Sequence, residues 1–269
     1  MTTDQNPGPT EYARSERCYV VLGPFRSGTS LVTRLTNTLG AYAGPAHELY
    51  EPSEWNPAGY IQRPDITAFN KWLIAAAGGS DGTPGTPEAI AATAQSTDFD
   101  SLDLDWIRCP GSIVVKDPRF SFTLLAWLRH GAFADRDVRL ILTDREPAGM
   151  IRSALSHYDV KHYCGNTTEG ARQTLAAYSA GAEWHVDATG LPCLRVDYET
   201  LDQRPEQAVE ELAEFMDISD AELVARARAV CTLGRSRADH SAEAPPDAES
   251  IGSFGRGALH RQREQRCSS

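Results

Sequence analysis

The sequence predicts an α/β fold in which a central parallel sheet is flanked by helices and carries a nucleotide-binding loop of the P-loop type. Three observations predict it. Four short apolar runs, 18–22, 112–115, 138–143 and 192–196, are each followed by a turn and a helical pattern, and strands alternating with helices form parallel sheets covered on both faces. The first run passes directly into Gly23, Pro24, Phe25, Arg26, Ser27, Gly28, Thr29 and Ser30 before a helical stretch. The chain has 269 residues, 41% of them hydrophobic, enough for one sizeable core without requiring two domains.

The elements follow in order. Strand 18–22 leads through the glycine loop to a helix over 29–39, and further helices are expected at 65–76, 121–129, 148–158, 169–188, 205–216 and 220–230. Pro205 suits a first helical turn, and the crossovers between parallel strands should be right-handed. Between 78 and 110 the chain carries Gly79, Gly82, Pro84, Gly85 and Pro87, which reads as a mobile loop. The expected organisation is a flexible tail over 1–17, one domain over 18–238 and a C-terminal tail over 239–269.

Composition narrows the function. No apolar run approaches the ~20 residues that cross a bilayer. The residues before Cys18 are polar, with Asp4 and Glu11, so neither a membrane nor a secretory route is expected, and a cytoplasmic protein is. Cys18, Cys109, Cys164, Cys193, Cys231 and Cys267 show no paired metal-ligand spacing and read as free thiols. A net charge of −11 speaks against nucleic acid as a partner, because a phosphate backbone needs a broad basic surface. Any anion site must be local.

The glycine loop is such a site. A strand, a tight turn and a helix start point several backbone N–H groups at one anion, and the helix dipole adds favourable partial charge. Gly23 and Gly28 have Walker A spacing, but Thr29 stands where that motif places its lysine. With Arg26 in the turn instead, the loop suits a ligand lacking a γ-phosphate. Downstream, the third strand ends in Asp144 and Arg145, and Ser153 lies eight residues beyond the arginine. Both can face the carboxyl edge of the sheet, where open α/β folds bind ligands, and an arginine fork with a hydroxyl can hold a phosphate. The alternative is a helix-capping arginine and an exposed serine.

Together these segments resemble the sulfotransferases that use 3′-phosphoadenosine 5′-phosphosulfate (PAPS), in their bacterial branch. The likeness rests on Arg26, Ser27, Gly28, Thr29 and Ser30, on the Arg145 and Ser153 pair, and on three further stretches: Asn56-Pro57-Ala58-Gly59-Tyr60, Lys116-Asp117-Pro118-Arg119 and Asp197-Tyr198-Glu199-Thr200-Leu201 with Pro205. The resemblance implies that the loop holds the 5′-phosphosulfate, that Arg145 and Ser153 hold the 3′-phosphate, that Tyr198 lies near the adenine, and that no metal takes part. It also implies an in-line displacement at sulfur, which needs alignment, cationic stabilisation of the leaving oxygen and a base.

Arg26 occupies the family position for a cation on the phosphosulfate bridge. Lys116 ends an apolar strand and is one of only three lysines, with Lys71 and Lys161. It is either the cation that neutralises the transferring group or an ion-paired surface lysine. Arg119 is either a second anion contact or the partner of Asp117. Pro118 replaces the histidine that the cytosolic branch carries after this strand. In a bacterial branch a glutamate in the region of Glu48 takes the proton, so Glu48 is the expected base, with His47, His157 and His162 in reserve; Asp117, between two cations, should be less basic. The acceptor pocket is expected to include His47, Trp55, Tyr60 and Asp117, while Phe69 and Trp72 have the spacing of core residues. Gly255, Arg256 and Gly257 are similar to the family segment that closes over the 3′-phosphate, in surroundings that depart from it.

The expected activity is sulfuryl transfer to a hydroxyl of a small molecule, a sugar or natural product. Plentiful Ala and Arg beside scarce Lys fits a GC-rich bacterial genome and a role in secondary metabolism. The alternatives are a P-loop kinase using Asp144 to hold Mg²⁺ and a non-catalytic nucleotide-binding protein.

Overall fold

The computed structural model describes residues 16–238, with side chains described through Cys231. The expected lid residues Gly255, Arg256 and Gly257, together with Cys267, lie outside the described residues. Four parallel strands, β1 (Arg17–Leu22), β2 (Ile113–Lys116), β3 (Asp137–Asp144) and β4 (Cys193–Asp197), form one sheet in the order β2-β1-β3-β4. Pairing is continuous, with Val20 opposite Val115 and Leu140, and Thr143 opposite Val196. Each strand lies within a residue or two of its expected position. The first begins at Arg17, one residue inside the expected tail, because Arg17 pairs with Asp137 across the sheet.

Successive side chains of a strand point to opposite faces, and β1 divides its apolar residues accordingly. Cys18, Val20 and Leu22 pack in one core with Val115, Leu140 and Leu142. Tyr19 and Val21 pack in the other with Val114, Ile141 and Val196. The second core is covered by Val32 and Leu35 of α1 (Thr29–Thr38) and by Val209 and Leu212 of the tenth helix in chain order, α10 (Pro205–Phe215). The first is covered by α2 (Pro64–Ala76), α5 (Phe120–Arg129) and α8 (Thr168–Thr189), through Phe69, Trp127 and Tyr178. Burying rings of this size contributes about 1.5–3 kcal/mol each relative to exposure. The described residues up to Arg235 belong to one compact unit.

The segment 78–110, expected as a loop, carries secondary structure: it holds α3 (Pro87–Thr93), the single-turn α4 (Ser96–Phe99) and a 3-10 turn at Asp105–Arg108. Thr86 caps α3, accepting from the Ala89 N–H, with Pro87 in the first turn, a helix start with a local physical cause. Ile90, Ala91, Phe99, Trp106 and Ile107 then enter the first core, where Phe99 meets Phe69 and Trp127 edge to face at 4.8 and 5.5 Å. The expected helix over 148–158 is also two. Helix α6 (Pro147–Ser156) ends where His157 takes an extended conformation, and α7 (Tyr158–Tyr163) restarts from it.

Candidate active site

All four strands present their carboxyl ends at one edge, and the loop 23–28 lies there. Gly23 has φ +138°, and a Cβ on it would lie 2.3 Å from the Thr143 hydroxyl. That hydroxyl is 2.6 Å from Ser27 Oγ and donates to the Leu22 carbonyl, while Ser27 Oγ donates to the Pro24 carbonyl. The loop is thereby fastened to the end of β3. Gly28, at φ +96°, starts α1 with no side-chain cap, so the first N–H groups of the helix have no partner within it. Between them Arg26 is left-handed, at φ 69°.

Cations gather around this loop. Arg26 donates from Nε to Ser153 Oγ at 2.8 Å. Arg145 donates to the Arg26 carbonyl at 3.1 Å and stacks on Tyr198, 4.1 Å from the ring centre. The Tyr198 ring in turn closes against Gly28, where a Cβ would approach it to 2.6 Å. Thus Arg26, Gly28, Arg145, Ser153 and Tyr198, separated by up to 172 residues of chain, stand together. The serine pairs with Arg26, not with Arg145. Tyr198 is held at the start of α9 (Tyr198–Gln203), which Asp197 caps, and Glu199 accepts the Glu146 N–H.

Lys116 is buried at the end of β2 and donates to Gln62 Oε1 at 2.6 Å and to Ser30 Oγ at 3.3 Å. Gln62 is held in that orientation because its Nε2 donates to Asp117 Oδ2 and Thr67. Desolvation, reinforced by Arg26, Arg119 and Arg34 against the pull of Asp117, lowers the Lys116 pKa to about 7. Arg26 is lowered as well, by burial and by Arg145. Among the described residues no ion pair involves Arg26, Arg145 or Lys116. Three cations without carboxylate partners, in a chain of net charge −11, define a local site for a polyanion.

Arg119 resolves the other way. Its guanidinium takes Asp117 at 3.1 Å and both oxygens of Asp81 at 2.5 and 2.9 Å, which raises its pKa further. It fixes the turn, and Asp81, from the segment expected to be mobile, is the partner that no local pattern reveals.

A cavity of about 630 Å³ opens from Arg26, Ser30 and Lys116. Its walls are largely aromatic, with Phe25, Tyr50, Trp55, Tyr60 and Tyr163, and His157 also lines it. Tyr60 is presented by the Asn56–Gly59 turn, which Arg34 braces by donating to the Ala58 and Gly59 carbonyls. Trp55 and Tyr60 therefore stand where a pocket was expected. Asp117 does not: it is wholly buried, with its oxygens given to Arg119 and Gln62, so it is a structural carboxylate. His47 projects with 82% of its side chain exposed and is not part of the wall. Glu48 is also outside it, with its carboxylate taken by Arg63, which lies over Trp106. The structure thus brings neither His47 nor Glu48 to the cations. Phe69 is core, with Trp72 stacked on its outer side. Asp144 is exposed and accepts the N–H of Arg145. Among the described residues no group of three His, Cys, Asp or Glu side chains has the arrangement of a metal site, and no helix is long and apolar enough to cross a membrane.

Fold and site together define an open parallel α/β protein with a polyanion cradle at its strand ends beside an aromatic cavity. No family model and no curated protein sequence matches the chain. Solved structures to which the chain is similar include the sulfotransferase domain from the curacin biosynthetic pathway, at 16% identity and a TM-score of 0.42, covering 79% of this chain and 77% of that one. Sulfotransferase STF9 from Mycobacterium avium shares 18% identity with a TM-score of 0.45, over 82% and 69%. The sulfotransferase domain of the Synechococcus PCC 7002 olefin synthase shares 19% with a TM-score of 0.42, over 78% and 76%. At such identities and TM-scores the chemistry has to be read from the side chains.

Proposed function

We propose that the protein transfers a sulfuryl group from PAPS to a hydroxyl of a small molecule. The observation that carries this reading is the set of unpaired cations, Arg26, Arg145 and Lys116, spread along one edge of the sheet around a loop whose helix start is uncapped. A single phosphate would need one of them; a donor with a phosphate at one end and a phosphosulfate at the other uses all three. Arg145 and Ser153 hold the 3′-phosphate, the Tyr198 edge flanks the adenine, and Ser27 to Ser30 hold the 5′-phosphosulfate by backbone N–H groups and hydroxyls. Arg26 and Lys116 line the cavity beside the loop, where charge moves onto the leaving phosphate oxygen as the S–O bond breaks, and fixed cations there lower the barrier. The aromatic cavity is of small-molecule size and takes the acceptor, a sugar or a natural-product alcohol. A bacterial, cytoplasmic enzyme of secondary metabolism fits this reading.

Titration calorimetry in EDTA tests it. Adenosine 3′,5′-bisphosphate should bind without metal and more tightly than ATP with Mg²⁺, and a panel of sugars, phenols and alcohols should yield sulfated product from PAPS. Tighter binding of ATP with Mg²⁺, lost in Asp144→Asn, would establish the kinase alternative instead.

A further inference from the structure

The reaction proposed above needs a group that removes the acceptor's proton, and the cavity wall holds one. His157 lies in the break between α6 and α7, 7% exposed. It stands one helical turn after Ser153, so the Arg26 guanidinium bonded to that serine is its neighbour. Its two ring nitrogens differ. Nδ1 is buried and has no hydrogen-bond partner, whereas Nε2 is 3.4 Å from the Tyr60 hydroxyl. The same hydroxyl is 2.7 Å from Ser53 Oγ, and either of those two oxygens can donate. With the imidazole proton on Nδ1, Tyr60 has two settings: it donates to His157 Nε2, or it turns its proton to Ser53 and releases Nε2. Tyr60, Ser53 and His157 all line the cavity that Arg26 and Lys116 enter, with Trp55 beside the imidazole at 6.0 Å between ring centres.

From this geometry we infer that His157 is the catalytic base, with Nε2 accepting the proton of the acceptor hydroxyl and Tyr60 alternating between His157 and Ser53. This rests on the sulfotransferase reading. As the acceptor oxygen forms its bond to sulfur, the S–O bond to the 5′-phosphate breaks, that electron pair stays on the phosphate oxygen, and the hydroxyl proton passes to Nε2. The imidazolium so formed is offset by the negative charge arriving on the leaving group. Burial and then Arg26, opposed by Asp159, hold the imidazole down to about 4 in the free protein, so it is neutral and ready to accept at pH 7; donor anions beside Arg26 raise it toward a more effective base.

The test compares wild type, His157→Gln and Glu48→Gln. Three quantities are followed: binding of adenosine bisphosphate, transfer of the sulfuryl group from PAPS to water, which needs no known acceptor, and transfer to any hydroxyl the panel identifies. His157→Gln should bind the bisphosphate within about twofold of wild type while transfer to water and to an alkyl hydroxyl falls about 10²- to 10⁴-fold. A phenol of low pKa should lose less. Glu48→Gln should stay within a few-fold of wild type in all three. The kcat/KM of the wild type should fall on the acid side as His157 protonates, with Arg26, Asp159 and Tyr60 the groups facing it, and this limb should vanish in His157→Gln. Near-normal transfer by His157→Gln, with the bisphosphate still bound, overturns the base assignment and leaves the donor reading standing. If wild type neither binds the bisphosphate nor consumes PAPS, both fall.

Discussion

If the proposed donor lies against Lys116, its binding should be a proton-coupled event. Its ammonium is desolvated at the end of β2, and its pKa of about 7 in the free protein leaves it about nine-tenths neutral at pH 8 and about nine-tenths charged at pH 6. An anion placed against it stabilises only the charged form. Binding adenosine 3′,5′-bisphosphate at pH 8 should therefore draw in about 0.9 proton through this residue, against about 0.1 at pH 6. Affinity should fall about tenfold, or about 1.4 kcal/mol, for each pH unit above 7 until the pKa of the complex is reached. The sign follows from protonation being favoured in the complex: what is lost as pH rises is binding. Calorimetry in two buffers of different ionisation enthalpy measures the uptake directly, and Lys116→Met, of similar length and uncharged, supplies the baseline that removes the ligand's own phosphates. Uptake at pH 8 that is the same in wild type and Lys116→Met would mean that the ammonium does not meet the ligand, and its place at the transferring end would be lost.

Other consequences can be measured with the same ligands. Arg145→Ala removes one or two charge-assisted hydrogen bonds and should weaken adenosine bisphosphate by about 1.5–3 kcal/mol each, with little change for adenosine 5′-phosphosulfate; equal losses would place Arg145 elsewhere. Gly28→Ala puts a methyl 2.6 Å from the Tyr198 ring at φ +96°, so binding by calorimetry should drop at least about tenfold as the ring and the Arg145 stacked on it move. Asp81→Ala strips Arg119, only 3% exposed, of its bidentate partner and should cost about 3 kcal/mol in urea unfolding; a loss under about 0.5 kcal/mol would show that the segment around Asp81 contributes little to the fold.

Strands and loop were legible because their signals are local. A buried parallel strand is a continuous apolar run, and the glycines at 23 and 28 punctuate the chain where the backbone must turn left-handed. The segment 78–110 misled for the same reason. Its glycines, Pro84 and Pro87 sit in the turns 78–85 and at the first turn of α3, and they mask Ile90, Phe99, Trp106 and Ile107, whose burial is decided by partners on α2 and α5. The cluster of Arg26, Arg145 and Ser153 was readable by motif, since these residues keep a recognisable spacing and the structure brings them together. The cavity wall was not. Whether Glu48 or His157 lines the cavity depends on Arg63 claiming the one and on a helix break presenting the other. Neither event leaves a pattern in neighbouring residues. Gln62 and Asp81, which orient Lys116 and Arg119, act across 54 and 38 residues and are equally silent.

Arg26 holds a left-handed backbone at φ 69°, a conformation that costs a side-chain-bearing residue about 1 kcal/mol or more and that glycine or asparagine fills more easily. Here the guanidinium reaches Ser153 and the carbonyl receives Arg145, so one residue is bound at both ends, to helix α6 and to the turn that follows β3. Selection for stability alone would exchange this arginine. A chain that drifted free of its chemistry should lose Arg26 early and melt no lower for it, which makes this single position a marker, among relatives of the same fold, of whether the site is still in use.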